Sequence, residues 1–155
     1  MNYFDQLRRS VLETIKAGRV GQPVFVRFLV ASDANRETQT PLLARLVQTA
    51  GEWLGAPPRR LYATVSPLPA GASVSVRFEN GATALVSTAT PGHAGPTIDV
   101  IVLGNHGAVY HDGFAVAAES AATVVDGHED PALRAAIEAT MRSMKPHVLP
   151  GKEAP

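Results

Sequence analysis

Two histidines and an aspartate in the last third of the chain are the side chains best suited to chemistry. Imidazole and carboxylate groups can bind a metal ion or exchange protons near neutral pH. His106 and His111 stand five positions apart around a short predicted strand, with Asp112 next in the sequence. Because residues five apart in a strand point to opposite faces, the spacing counts against a shared metal ion. We therefore predict no metal site and treat both histidines as candidate contacts for a ligand or a partner.

The motifs of nucleophilic and nucleotide chemistry are absent from the sequence. There is no cysteine, which excludes thiol nucleophiles and cysteine-based metal sites. There is no G-x-S-x-G, and the glycine cluster at residues 104–107 precedes a predicted strand, whereas a phosphate loop would lead into a helix. The sequence therefore predicts no catalytic residue, no cofactor-binding residue and no cofactor held by this chain.

The charge balance and the hydropathy of the sequence argue against nucleic-acid and membrane partners. The 14 basic and 14 acidic side chains cancel and form no basic stripe, so we expect no nucleic-acid partner. No apolar run approaches the roughly 20 residues of a membrane span, and the N-terminal segment is charged throughout, so we expect a cytoplasmic protein with no membrane contact. A length of 155 residues fits a single domain, which we place at residues 1–149, with a flexible tail at 150–155.

Apolar residues at helical spacing predict three helices. The first ends near Gly18, where a glycine can close the last turn. The second is predicted to begin at Thr40, with Pro41 in the first helical position, and to end at Gly55. The third is predicted to begin at the Asp130-Pro131 step for the same reason as the second.

Runs of alternating or continuous apolar residues predict the strands. The first covers residues 24–31 and is apolar on both faces except at Arg27. Asn80-Gly81 predicts a type I′ hairpin turn, and Asp112-Gly113 predicts a second hairpin turn followed by a strand. The remaining predicted strands are residues 60–66, 73–78, 82–88, 97–103, 108–111 and 114–117.

Strands joined by tight turns must be antiparallel. The order of elements therefore predicts an α+β fold with one open, mainly antiparallel sheet and helices packed on one of its faces. The other face would be solvent-exposed unless a partner covered it. A charged residue at Val76 or Val86 is the test of such sheet-mediated assembly that the sequence suggests.

Five phrases of the sequence, in this order, resemble the C-terminal domain of the Gfo/Idh/MocA family of oxidoreductases. They include IKAGRVGQPVFVR, which resembles the family's helix end and first sheet strand, and VSVRFENGATA, which resembles its N-G hairpin. The resemblance implies the open-sheet fold, which in that family often builds the oligomer interface. It covers almost the whole chain, at residues 15–27, 53–63, 74–84, 99–110 and 133–148.

The sequence also departs from that family in two ways. None of its residues match the family's NAD-binding Rossmann domain or its Glu-Lys-Pro lysine. The positions of the family's His-x-x-Asp are taken by Arg45 and Gln48. Neither side chain serves as an acid–base group at neutral pH. The resemblance therefore implies a standalone, non-catalytic domain, and an NAD(P)-dependent sugar or cyclitol oxidoreductase only within a complex.

Three functional hypotheses remain open at this point. The first is a domain that self-assembles through its sheet face or docks on a separate Rossmann-domain oxidoreductase subunit. The second is a small-molecule binding or enzymatic domain that takes a sugar-like ligand on the open face, and the third is a purely structural or interaction protein. The candidate contact residues for a ligand or partner are Arg27, Arg45, Gln48, Asn105, His106 and His111.

Overall fold

The computed structural model describes residues 2–33, 35–66, 71–90, 95–114 and 129–151. They form three helices and seven strands. The helices are α1 (Tyr3–Lys16), α2 (Arg36–Leu54) and α3 (Pro131–Ser143). The strands are β1 (Pro23–Ala31), β2 (Pro58–Val65), β3 (Ala72–Phe78), β4 (Thr83–Ala89), β5 (Thr97–Gly104), β6 (Ala108–Phe114) and β7 (His147–Val148).

The seven strands form one open sheet in the order β6-β5-β1-β4-β3-β2-β7. Every neighbouring pair is antiparallel except β1 and β4, which run parallel at the centre. The helices contact one side of this sheet, with α2 lying across β1, β4 and β3. The predicted α+β class, with a mainly antiparallel sheet and helices on one face, is confirmed.

Alternation along the strands separates a helix-covered face from an open face. In β1, Val26, Phe28 and Val30 are buried beneath the helices, whereas Arg27 on the other face is exposed. Phe28 stacks on Trp53 of α2 with ring centroids 5.1 Å apart. Burial of each such side chain contributes roughly 1.5–3 kcal/mol, so this face holds the core.

Val76 and Val86 belong to that core. They are 3% and 0% exposed beneath the helices. The expectation that charges at these two positions would probe a sheet-mediated interface is therefore wrong, because such charges would be buried among apolar side chains.

The second helix begins earlier than predicted. Its N-cap is Asn35, whose side chain accepts hydrogen bonds from the backbone N–H groups of Glu37 and Thr38. Pro41 consequently lies inside the helix, and the predicted start at Thr40 is wrong. A proline within the first two turns removes one backbone hydrogen bond, and the capping box at Asn35 offsets this loss. The predicted end at Gly55 is confirmed by its left-handed backbone.

The two predicted hairpin turns both need correction. At Asn80-Gly81 only Gly81 has a positive φ, and the Gly81 N–H donates to the carbonyl of Phe78, so the turn is not type I′. At Asp112-Gly113 there is no turn: Asp112 pairs with Asp99 of β5 and Gly113 with Ile98. The eight-residue β5 is long enough to hold β6 in register past this point, and residues 115–117 of the next predicted strand lie outside the described residues.

Within the described part of the chain, no helix has the length and apolar character needed to cross a membrane. The predicted tail begins at Pro150, and its residues 152–155 are outside the described ranges.

Candidate functional site

Arg27 lies at the centre of the open face. Its register partners are Leu85 on β4 and Ile101 on β5. The same row continues to Tyr62 on β2 and to Tyr110 at the far edge, which is 71% exposed. The rows on either side add further apolar side chains, namely Phe25, Leu29 and Leu103. The side chains around Arg27 on β1, β4 and β5 are therefore largely apolar, with Asp99 as a second charge and the hydroxyl groups of Ser75 and Ser87 on the neighbouring strands.

Asp99 lies diagonally next to Arg27 on this face. The two residues, with Leu29 and Ile101, line a depression of about 60 Å³. Among the described residues, however, no ion pair joins Arg27 or Asp99 to another side chain. The open face thus offers a guanidinium and a carboxylate, side by side, to whatever approaches it.

A wider trough of about 540 Å³ crosses the open face over β4, β3 and β2. Phe25, Tyr62 and Leu85 supply its apolar walls, and Arg60 and Arg77 close one end. It lies on the face that the helices leave uncovered.

Arg45 and Gln48 occupy a different region, on the side of α2 near α1. Arg45 is only 8% exposed, and its Nη2 lies 3.8 Å from a carboxylate oxygen of Asp5. Next to them, Arg8 of α1 donates to Glu52 of α2 at 2.7 Å. Desolvation by burial, with Arg8 as a second cause, lowers the pKa of Arg45. Arg45 therefore belongs to the contact between two helices, and the Oε1 atom of Gln48 is buried without a hydrogen-bond partner among the described residues.

Asn105 and His106 hold a loop in place. The backbone N–H of Gln22 donates to Asn105 Oδ1 at 2.8 Å, and the His106 N–H donates to the carbonyl of Val20 at 3.1 Å. These bonds fasten the turn between β5 and β6 to the segment that joins α1 to β1. Gly21 is packed directly against both side chains.

His111 faces the helices, whereas Asp112 beside it faces the open side of the sheet. The His111 ring forms a hydrogen bond with the hydroxyl of Tyr3 on α1. His106, His111 and Asp112 are thus not brought together. The described residues contain no group of three histidine or carboxylate side chains placed to hold a metal ion.

The six candidate residues consequently fall into separate regions. Arg27 is on the open face, Arg45 lies at the contact of α2 with α1 with Gln48 one turn further along α2, Asn105 and His106 are in a turn, and His111 contacts Tyr3 of α1. The structure instead assembles an arginine-lined cavity that the sequence analysis missed, at the start of β2 and the end of β3. The sequence signal was present in the adjacent Arg59 and Arg60, but strand pairing was needed to bring Arg77 beside them.

The fold matches solved structures of dehydrogenases, while comparisons with protein-family models and with curated proteins found no match. A myo-inositol dehydrogenase from Corynebacterium glutamicum ATCC 13032 aligns with a TM-score of 0.71 and 10% identity over 96% of this chain and 62% of its own. Myo-inositol 2-dehydrogenase from Lactobacillus plantarum gives a TM-score of 0.68 and 11% identity over 95% and 62%.

The WlbA dehydrogenase from Bordetella pertussis, solved with NADH and UDP-GlcNAcA, gives a TM-score of 0.65 and 16% identity over 93% of this chain and 60% of its own. The present chain therefore spans about three fifths of these proteins. The fold expected from the resemblance, that of the C-terminal-like domain of Gfo/Idh/MocA-type dehydrogenases, is confirmed.

Proposed function

We propose that this chain is a non-catalytic domain of the Gfo/Idh/MocA type that assembles with a second copy of itself through the open face of its sheet. The observation that carries the proposal is that Arg27 and Asp99 lie side by side among largely apolar side chains and form no ion pair with any described residue. The likeness of the fold to the dehydrogenases supports the family, and the open face supports the mode of assembly.

Self-complementarity is the reason for choosing a second copy as the partner. In a two-fold interface, the same patch must supply both halves of every contact. Arg27 and Asp99 are adjacent and of opposite sign, so Arg27 of each copy can bind Asp99 of the other about one axis. A patch whose charges all had the same sign would repel a second copy of itself. Arg27 and Asp99 have opposite signs, so this patch avoids such repulsion.

The size of the face fits such an interface. Six neighbouring strands spaced about 4.8 Å apart, with about seven residues of roughly 3.3 Å each, span on the order of 650 Å². A stable dimer buries about 800 Å² per partner, so the face can supply most of the required area. Apolar side chains surround Arg27 and Asp99 at its centre, whereas Asp112, Arg60 and Arg77 lie towards its ends, as charges do at the rim of an interface.

The side chains of two residues on α2 support the proposed lack of catalysis. The positions where the family resemblance places acid–base groups hold Arg45, which lies against Asp5 of α1, and Gln48, whose Oε1 atom is buried. Neither side chain can act as an acid–base group near neutral pH. We accordingly propose that this chain holds no cofactor.

A charge exchange tests the assembly. We expect light scattering to find a dimer for the native chain and a shift towards monomer for Arg27→Asp and for Asp99→Arg, because each single variant opposes like charges in both halves of the interface. The double variant Arg27→Asp/Asp99→Arg should recover the dimer. If the native chain is monomeric, or if the double variant is weaker than both single variants, a second copy is not the partner. A separate Rossmann-domain subunit would then become the candidate.

A further inference from the structure

Three exposed arginines, together with Glu79, line one cavity at a corner of the sheet, which we name the arginine cleft: Arg59, Arg60 and Arg77. The register of β2 shifts between Pro58 and Arg60, so Arg59 is an extra residue with no register partner on β3. This irregularity lets two consecutive arginines line one cavity, although alternation would place them on opposite faces. The cavity has a volume of about 430 Å³.

The proximity of two arginines on neighbouring strands is the observation that indicates an anionic ligand. Arg60 lies directly opposite Arg77 in the register of β2 and β3. Like charges directly opposite each other destabilise a sheet unless an anion lies between them. No carboxylate of the described residues forms an ion pair with any of the three guanidinium groups. The cleft therefore concentrates positive charge that these residues leave unneutralised.

The residue types in the lining suit a phosphate group. A guanidinium group donates two parallel hydrogen bonds, and several such groups around one centre match the oxygens of a phosphate. Gly81 has no side chain and Phe78 is an apolar wall, so the cavity extends beyond the arginines. Its volume exceeds that of a bare phosphate and lies in the range of small-molecule sites.

Glu79 adds a second requirement. Its carboxylate lines the same cavity and can only accept hydrogen bonds when ionised. A ligand that fills the cleft can meet this carboxylate with a hydroxyl group, which donates a hydrogen bond to it. We infer that the arginine cleft binds a small phosphate monoester that carries a hydroxyl group, with the phosphate on the arginines and the hydroxyl donating a hydrogen bond to Glu79.

Isothermal titration calorimetry on the full chain tests this inference with glucose 6-phosphate, glucose and citrate as probes. We expect glucose 6-phosphate to bind and glucose not to bind, because the phosphate supplies the contacts with the arginines. Arg77→Gln and Arg60→Gln should each weaken binding by about tenfold or more, as expected for the loss of charge-assisted hydrogen bonds. Binding should also weaken as salt is added.

Arg9→Gln is the matched control, since Arg9 is an exposed arginine on α1, away from the cleft. It should leave the affinity unchanged. Thermal unfolding and light scattering of the three variants separate loss of the site from loss of fold or assembly. The inference is overturned if glucose 6-phosphate does not bind at millimolar concentration, or if the cleft variants bind it as well as Arg9→Gln does. It is also overturned if citrate binds more tightly, because the site would then be one for carboxylates.

Discussion

The hydroxyl of Tyr3 and Nε2 of His111 lie 2.5 Å apart, in a hydrogen bond between residues separated by 108 positions. It joins the first turn of α1 to β6, the strand at one edge of the sheet. The rings are also in contact, with centroids 5.8 Å apart. His111, which the sequence analysis proposed as a contact for a ligand or partner, therefore links α1 to the sheet.

Tyr3→Phe should lower the free energy of unfolding by about 0.5–1.5 kcal/mol, the usual net value of one intramolecular hydrogen bond. The change removes only the hydroxyl and keeps the ring that packs on the core. Urea denaturation measures the difference. Tyr110→Phe is the control, because Tyr110 is largely exposed on the same edge strand as His111. Equal effects of the two variants would show that the contact contributes nothing specific.

Gly21 is the position where the loop after α1 tolerates no side chain. A Cβ atom there would stand 2.2 Å from Asn105 Oδ1 and 2.7 Å from His106 Nδ1, and its φ is +70°. Gly21→Ala should therefore cost more than the roughly 1–2 kcal/mol of a left-handed alanine alone.

Gly18→Ala isolates the backbone part of that cost. Gly18 has a φ of +76° and nothing within 4 Å of a Cβ atom. The difference between the two variants in thermal or chemical denaturation measures the packing of Gly21 against the β5–β6 turn. If Gly18→Ala is as damaging as Gly21→Ala, that packing is not tight.

Leu85 and Val86 are neighbours on β4 that face opposite sides of the sheet. Leu85→Lys places a charge in the trough of the open face, so we expect a folded protein that loses its dimer in light scattering. Val86→Lys places the charge in the core at a position that is 0% exposed, where an unpaired cation should prevent folding. A Leu85→Lys variant that folds and keeps the size of the native assembly would exclude the open face as the interface.

The alternation of faces along the strands is one feature of the fold that the sequence could predict. Strict alternation in residues 73–78 identified which side chains share a face, and the N-G and Asp-Pro signals located a hairpin and a helix start. The sequence could not show that Asn35 is the N-cap of α2, because Thr40-Pro41 is an equally good local start signal. The reciprocal hydrogen bonds between Asn35 and Thr38 that decide between the two are seen only in the folded chain. The Asp112-Gly113 dipeptide is typical of a turn, and the sequence could not show that these two residues would instead pair with β5 and continue β6.

The candidate site was harder to predict than the fold. Arg45 and Gln48 are three positions apart on one helix, so the sequence correctly puts them on the same side of it. It does not say that α1 will cover that side. The arginine cleft likewise depends on a register shift and on a strand pairing, both of which are tertiary features.

The last prediction concerns the contribution of Arg45 to the free energy of unfolding. Its pKa is lowered, chiefly by burial, which means that the folded protein holds this charge less favourably than water does. Replacing a buried charge by an apolar side chain of similar volume is often neutral or stabilising. We therefore expect Arg45→Met to leave the free energy of unfolding unchanged or to raise it by up to about 2 kcal/mol.

The pH dependence of that difference follows from the sign of the shift. A base whose pKa is lower in the folded than in the unfolded state costs stability at every pH below the folded pKa. Arginine stays protonated in both states between about pH 6 and 9, so the gain in Arg45→Met should be constant over that range. Urea denaturation at several pH values measures it, and Arg9→Met, at an exposed position of α1, is the control. A loss of stability well beyond that of Arg9→Met would mean that the contact of Arg45 with Asp5 outweighs the cost of burial.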